Sequence, residues 1–389
     1  MDTSIMFPSI ENAVAVDKIG HPAVIKVIGV GGGGSNAVDR MIQTGVYGVE
    51  FTAVNTDLPP LRASLADTKI QIGETVSEGN GVGGDPELGR KSAEENIEGL
   101  KDAVKGADML FVTTGMGGGT GTGAAPVIAQ IAREMNILTV GVVTKPFEFE
   151  GPVRMRRAEE GIANLGKYAD TLIVIPNERV FNVLDLSPSK ELFSVIDDVL
   201  RQSIQSITDI ITKKGVINRD LADVRSILSN AGAALIGMGE GADIKEAFNK
   251  ALTNPLLDNL NISKITKMIV NLTAGKDYDF ADALKRMTDI IKNAKMRKPD
   301  VIPGYVIDDN MGERIKATIV AAGFNSPYRD NFSKISAQPS KTHIQFQNQD
   351  SNIPAGSGEL SFGDQLETPA AEYFLKTAYD HWQPRKLNK

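Results

Sequence analysis

The chain has 389 residues, no cysteine and a formal net charge of −7. The acidic balance disfavours a polyanionic partner such as nucleic acid, and the lack of cysteine excludes disulfides and thiolate metal sites. Residues 1–20 lack the basic start and apolar core of a secretory signal, and no apolar run approaches the roughly 20 residues that span a bilayer. We therefore expect a cytoplasmic protein with no direct transmembrane insertion.

Strand and helix patterns alternate after a loose N-terminal arm at residues 1–22. Apolar strands that alternate with amphipathic helices indicate a parallel sheet covered on both faces. The predicted fold class is α/β, with a Rossmann-like, parallel-sheet nucleotide-binding domain at 23–189. Its predicted strands are 23–30, 49–57, 108–115, 137–144 and 171–176, and its predicted helices are 35–45, 124–135 and 154–169.

A long central helix is predicted at 190–214, where a wide apolar stripe indicates burial between two bodies. It joins the first domain to a second, α+β domain at 215–325. The predicted strands of this second domain are 234–239, 267–274 and 314–324, and its predicted helices lie near 242–252 and 280–295.

The character of the chain changes after this second domain. Residues 326–367 are rich in Ser, Asn, Gln, Asp, Pro and Gly, which is typical of a disordered linker. Residues 368–389 place Phe374, Tyr379 and Trp382 on one helical face, which favours a docking peptide at the end of a tether. A helix packed back on the globular body is the alternative.

Two glycine-rich segments each follow a predicted strand and precede a predicted helix. The first, GVGGGGSNAV, contains G-x-G-x-x-G at Gly29, Gly31 and Gly34, and alone it favours NAD, with a simple tight turn as the alternative. The second, GMGGGTGTG at 115–123, has six glycines in nine residues. A structural turn needs one or two, so this density indicates backbone N–H groups that approach an anion closely. Two such loops at one sheet edge would converge on one ligand, and their number of N–H donors favours a triphosphate.

The segment GGGTGTG at 117–123 resembles the signature of the tubulin/FtsZ family. Further similar segments follow in order within residues 23–325, namely AVNTD, VVTKPFEFEG, IPNE and NRDLAD. The resemblance is strongest to the bacterial cell-division members. It implies a GTPase that uses GTP/GDP and Mg²⁺, assembles head to tail with itself and forms the cytokinetic ring at midcell. By position, the tail peptide would bind membrane-tethering or regulatory division proteins, although Tyr379 and Trp382 lie outside the family's pattern.

The resemblance also implies roles for individual residues in nucleotide binding. Glu150 and Arg154 match contacts to ribose and phosphate, Asn36 and Asp197 match groups that read the guanine edge, and Phe193 would stack on the base. From residue type alone, Glu150 and Arg154 would form an i,i+4 surface pair, and Phe193 would be core. The loop at 79–89 would lie near the terminal phosphate. The phosphates would be held by Gly31, Gly32, Gly33, Gly34, Gly117, Gly118, Gly119, Thr120, Gly121 and Thr122.

The hydrolytic residues implied by the resemblance are Asn218, Asp220 and Asp223, which would enter the nucleotide pocket of a neighbouring subunit. Two acids three residues apart could orient an attacking water beside a terminal phosphate and Mg²⁺. Solvated acids, with Asp220 as a helix N-cap, are the alternative. Leu221 stands where the family commonly has Phe. Three hypotheses follow: an assembly-coupled GTPase, a nucleotide-binding filament protein without efficient hydrolysis, and an NAD-dependent dehydrogenase, which the second glycine loop argues against.

Overall fold

The computed structural model describes residues 23–183, 191–213, 220–257, 265–293 and 300–323. The N-terminal arm, the linker, the tail peptide and Asn218 lie outside this described part of the chain. Among the described residues, no helix combines the length and apolarity that a membrane crossing requires.

The first half of the chain forms six strands and eight helices among the described residues. The strands are β1 (Ile25–Val30), β2 (Glu50–Asn55), β3 (Thr68–Gln71), β4 (Met109–Gly115), β5 (Leu138–Lys145) and β6 (Thr171–Pro176). The helices are α1 (Gly31–Gln43), α2 (Leu58–Ala63), α3 (Glu74–Ser77), α4 (Pro86–Glu95), α5 (Ile97–Val104), α6 (Thr120–Glu134), α7 (Pro152–Gly166) and α8 (Asn177–Val183).

The second half begins with the long helix that the sequence predicts. The helices are α9 (Glu191–Thr212), α10 (Leu221–Leu228), α11 (Ile244–Leu252) and α12 (Phe280–Asn293). The strands are β7 (Gly232–Gly241), β8 (Lys267–Ala274), β9 (Asp300–Ile307) and β10 (Ile315–Ala322).

All ten strands belong to one sheet in the order β3-β2-β1-β4-β5-β6-β7-β10-β8-β9. Every pair from β3 to β7 is parallel, whereas β10 runs antiparallel to both β7 and β8, and β8 pairs parallel with β9. The predicted α/β class is therefore confirmed, with a mixed sheet in the second half. Because β1, β2, β4, β5 and β6 are parallel, the loops that follow them share the carboxyl edge of the sheet.

Helix α9 packs between the two halves of the chain, as its wide apolar stripe predicts. Its Ile204 and Ile207 are fully buried, in one hydrophobic cluster with Met41 of α1, Ile269 of β8 and Val320 of β10. At 22 residues and about 1.5 Å per residue, α9 is about 33 Å long. A single buried helix therefore connects the two halves of the chain.

Candidate functional site

The two glycine-rich loops contact each other at the carboxyl edge of the sheet. A Cβ atom at Gly31, whose φ is +69°, would lie 3.1 Å from the backbone nitrogen of Gly121. A Cβ at Gly33 would lie 3.3 Å from the backbone nitrogen of Gly115. The two loops thus form one continuous surface, and a side chain at Gly31 or Gly33 would force them apart. The expected convergence is present, and the shared ligand stays a prediction.

One side of this surface is open and lies beside the N-termini of two helices. A Cβ at Gly32 or Gly118 would have no heavy atom within 4 Å. Helices α1 and α6 both begin here, neither has a side-chain cap, and neither carries an acid in its first turn. The first N–H groups of both helices therefore lack intrahelical partners, and both helix dipoles favour negative charge. Two uncapped helix N-termini beside open space fit the phosphates of a nucleotide.

The two threonines of the second loop have different surroundings. Thr120 is half-buried, and its Oγ1 lies 2.6 Å from Oγ1 of Thr56, the residue after β2. Thr122 is buried, and its hydroxyl oxygen accepts from the N–H of Gly117 at 2.8 Å. The Thr122 hydroxyl stabilises the turn, whereas Thr120 remains partly exposed. The expected contacts of both threonines with phosphate stay predictions.

The loop expected near the terminal phosphate packs against the second glycine loop. A Cβ at Gly119 would lie 2.5 Å from Cγ2 of Val82 and 2.9 Å from the backbone nitrogen of Asp85. Asp57, half-buried two residues after β2, pairs through its backbone with Asn80 of this 79–89 loop. No group of three or more metal-ligating side chains occurs within the described ranges. Mg²⁺ commonly uses one or two carboxylates plus phosphate oxygens, so Asp57 is the side chain here that fits it.

Glu150 and Arg154 form an ion pair beside the second glycine loop. Arg154 Nε lies 3.1 Å from Glu150 Oε2, and the other carboxylate oxygen accepts from the N–H of Phe147 at 2.8 Å. The carbonyl oxygen of Arg154 would lie 2.7 Å from a Cβ at Gly117. The i,i+4 pair expected from residue type is present next to the second glycine loop, and its expected contacts with ribose and phosphate stay a prediction.

Phe193 is not a core residue, so the interpretation from residue type alone is wrong. Its side chain is 57% exposed, and its ring meets that of Phe147 edge-on at 6.1 Å between centroids. Phe147 also stacks on Phe149 at 4.8 Å, and this connects the start of α9 to the segment that carries Glu150. An exposed ring with a fixed aromatic neighbour is available to stack on a base.

Asp197 and Asp198 are adjacent on α9 but differ in electrostatics. Burial raises the pKa of Asp197 to about 6, and the charge of Arg40 only partly opposes the shift. Burial also acts on Asp198, but hydrogen bonds and charge from Arg201 outweigh it, so the pKa of Asp198 lies below its ordinary value. Asp197 makes no hydrogen bond or ion pair to another described residue. Among the described residues it is therefore a partly buried carboxylate without a hydrogen-bond partner, which suits a group that receives donors from a ligand.

Two asparagines lie near the same edge. Asn36 is exposed in α1, directly after the first glycine loop. Asn177, the residue after β6, is buried, and its Oδ1 has no hydrogen-bond partner in the part of the chain that the structure describes. Asn177 belongs to the IPNE segment, for which the sequence predicts no individual role. A buried amide oxygen without a donor at this edge marks it as a further candidate ligand contact.

Asp220 and Asp223 do not lie with the other candidates. Asp220 is the N-cap of α10, and its Oδ1 accepts from the N–H of Asp223 at 2.8 Å. Asp220 therefore caps α10, as the alternative interpretation predicts. Asp220 is exposed and Asp223 half-buried, so both remain accessible for a second role.

Helix α10 is held at the amino edge of the parallel strands. Arg225 Nη2 donates to the carbonyl of Asp108, which directly precedes β4, at 2.9 Å. Thr171, the first residue of β6, donates through Oγ1 to the carbonyl of Leu228 at 2.5 Å. The seven residues of β4, at about 3.3 Å each, separate this edge from the glycine loops by about 20 Å. The acids therefore cannot reach a nucleotide held by the two glycine-rich loops of the same chain, residues 29–34 and 115–123, which together we call the cradle.

The chain resembles known proteins over both halves. Residues 24–185 match the Tubulin/FtsZ family, GTPase domain, and residues 232–325 match the FtsZ family, C-terminal domain. An empty FtsZ dimer from M. jannaschii is 39% identical, with 78% of this chain and 89% of that chain covered and a TM-score of 0.74. GDP-bound CetZ1 from Haloferax volcanii is 22% identical, with 80% and 98% covered and a TM-score of 0.68, which shows a shared fold.

Proposed function

The chain belongs to the tubulin/FtsZ family, and we propose that it is a GTP-dependent filament protein that hydrolyses GTP to GDP and phosphate at the contact between successive subunits. The family match supports GTP binding and hydrolysis in general. It gives no support to an NAD-dependent dehydrogenase. The shared active site is implied by the resemblance, and the positions of the acids and the glycine loops in this chain support it.

The observation that carries the proposal is the separation of the two functional groups. The cradle lies at the carboxyl edge of the sheet, whereas Asp220 and Asp223 lie at the amino edge, about 20 Å away along β4. Each subunit then has half of a hydrolytic site at either end. When one subunit stacks head to tail on another, the acids of the first face the cradle of the second. Such a contact is heterologous, so repetition produces open filaments.

The residues of the cradle bind and orient the nucleotide in this proposal. Backbone N–H groups of the glycine loops and the Thr120 hydroxyl hold the phosphates, and the Asp197 carboxylate accepts from N1–H and the exocyclic amine of guanine. Mg²⁺, when bound, neutralises charge on the phosphates, and Asp57 is placed to help hold it. From the neighbouring subunit, Asp223 and Asp220 hold and orient the attacking water.

Phosphate release measured against protein concentration, with GTP and Mg²⁺, tests the shared site. We expect almost no release at low concentration and a steep rise once filaments form. A rate strictly proportional to concentration from the lowest point would refute the shared site. Filaments that sediment without phosphate release would instead support a nucleotide-binding filament protein without efficient hydrolysis, a candidate favoured by the capping geometry of Asp220.

We further propose that the filament forms the cytokinetic ring at the midcell of a bacterial cell. The tail at 368–389 would dock membrane-tethering or regulatory division proteins. Support comes from the family assignment and from the position of the tail after the C-terminal family match. Removal of 368–389 should leave GTP turnover and sedimentation unchanged while a fluorescent fusion loses its ring. Equal loss of turnover would contradict a docking role.

A further inference from the structure

We propose that Thr56 is a positioning residue that orients the Thr120 hydroxyl toward the phosphates of the nucleotide. The inference rests on the proposed function, because it presumes a phosphate group in the cradle. It concerns a residue outside both glycine loops, at the end of β2.

The two hydroxyls form a short, shielded contact. Thr56 is fully buried, and its Oγ1 lies 2.6 Å from Oγ1 of Thr120. Thr120 is the first residue of α6, and its Cβ would lie 3.4 Å from a Cβ at Gly31 of the first glycine loop. Thr120 is therefore flanked by Thr56 and by the first loop, and its side chain remains partly exposed.

The burial of Thr56 sets the direction of this hydrogen bond. Among the described residues, Thr120 Oγ1 is the only hydrogen-bond partner of Thr56 Oγ1. If Thr120 donated, the Thr56 hydrogen would be buried without an acceptor, which is costly. Thr56 therefore donates and Thr120 accepts. The Thr120 hydroxyl then keeps its own hydrogen, which it can donate to a phosphate oxygen.

Thr56 is itself held in place from a second direction. Ser77 Oγ lies 3.1 Å from the carbonyl oxygen of Thr56 and 2.8 Å from that of Gly73. Ser77 ends α3, immediately before the loop that packs on Gly119. A β-branched side chain on a fixed backbone has few rotamers. The donor that orients Thr120 is thus fixed before any ligand binds.

A double-mutant cycle tests the inference, with fluorescent GTP and Mg²⁺ at protein concentrations below assembly. Thr56→Val keeps the shape and removes the hydroxyl, and we expect GTP affinity to fall about five- to tenfold with an unchanged Tm. Thr56→Ser should restore affinity to within about twofold of wild type, by keeping the donor. In a Thr120→Val background, Thr56→Val should cause no further loss, because Thr56 acts through Thr120.

The control is Thr139→Val, since Thr139 is also fully buried and its hydroxyl donates to the carbonyl of Ile137 at 2.9 Å. It should leave GTP affinity unchanged. An equal effect of Thr56→Val with and without the Thr120 hydroxyl, or a fall in affinity matched by a fall in Tm, would overturn the inference. If Thr56→Val does not fold, Thr56→Ala replaces it in the cycle. Wild-type protein that fails to bind GTP would overturn the proposed function as well.

Discussion

Replacement of Asp197 by asparagine separates recognition of guanine from stability of the fold. Guanine presents two adjacent donors, N1–H and the exocyclic amine, and a carboxylate accepts both. The amide of Asp197→Asn offers one acceptor and one donor group. One of the two guanine donors would therefore face the amide N–H group in place of an acceptor. Loss of a charge-assisted pair should weaken GTP binding about 100-fold. Xanthine carries an oxygen in place of the exocyclic amine, so Asp197→Asn should bind XTP better than GTP.

The same substitution should stabilise the empty protein at neutral pH. Burial raises the pKa of Asp197 from 3.8 to about 6, so the folded protein keeps its proton to higher pH than the unfolded chain. Stability therefore falls as pH rises between these two values, and the loss is complete above about pH 7. The difference corresponds to about 3 kcal/mol. Asparagine removes this penalty, and for a folded region of this size Tm should rise by about 5 °C.

Calorimetry of the empty protein and titration with GTP and XTP measure both effects. Asp198→Asn is the matched control, because Asp198 is the next acid on α9 and is paired with Arg201 at 2.7 Å. Its pKa lies below the ordinary value, so the same change should lower Tm and leave the preference for GTP intact. If Asp197→Asn binds GTP as tightly as wild type, Asp197 does not read the base. A lower Tm in Asp197→Asn would contradict the desolvation argument.

Three further predictions concern pH, the acids and the glycine loops. GTP affinity should fall about tenfold per pH unit below about pH 6, because protonated Asp197 cannot accept both donors; Asp197→Asn should show no such slope. Asp220→Ala should abolish most GTP turnover while GTP binding stays intact. Asp243→Ala removes an equivalent N-cap from α11, and it should cost about 1 kcal/mol of stability and leave turnover per filament unchanged. Equal turnover in both variants would mean that Asp220 is only a helix cap. Gly118→Ala should weaken GTP binding without lowering Tm, because its Cβ enters open space. Gly119→Ala should lower both GTP affinity and Tm, because its Cβ clashes with Val82. A lower Tm in Gly118→Ala would mean that the open side is not the ligand site.

The fold could be predicted where apolar periodicity is strong. Strands β1, β4, β5 and β6 and helix α9 lie close to their predicted bounds because they are buried and regular. Helix α6 begins at Thr120, four residues before the predicted start. Glycine has a low helix propensity, so the sequence pattern does not indicate this first turn of α6. A Cβ at Gly121 would lie 2.0 Å from Thr114 Oγ1, and one at Gly123 would lie 2.0 Å from the carbonyl oxygen of Pro86, so close packing requires the glycines.

Other elements lack a sequence signal for physical reasons. Strand β3 has four partly or fully exposed residues at one edge of the sheet, so its sequence has no apolar run. Strand β9 contains Pro303 and Gly304, which argue against a strand, but it lies at the opposite edge, where proline is tolerated. Tertiary packing sets these edge positions, so the local sequence around β3 and β9 does not predict a strand.

The candidate site was also predictable only in part. The two glycine loops meet at one sheet edge, as the sequence predicts, whereas the roles of Glu150 and Asp197 in nucleotide binding stay predictions. Thr56 and Asn177 were missed because a hydroxyl and an amide become informative only when burial and missing partners are known. The distance between the cradle and Asp223 likewise depends on the direction of β4, which no spacing in the sequence reveals.

The central claim is that the acids of one subunit act on the nucleotide of the next. The double variant Asp197→Asn/Asp223→Ala should bind XTP but lack its own hydrolytic acid. The double variant is mixed with wild-type protein that holds a non-hydrolysable GTP analogue, and the phosphate released from XTP is measured. We expect no release from the double variant alone and clear release when wild-type subunits supply Asp223. Release from the double variant alone, or none from mixed filaments, would contradict the account.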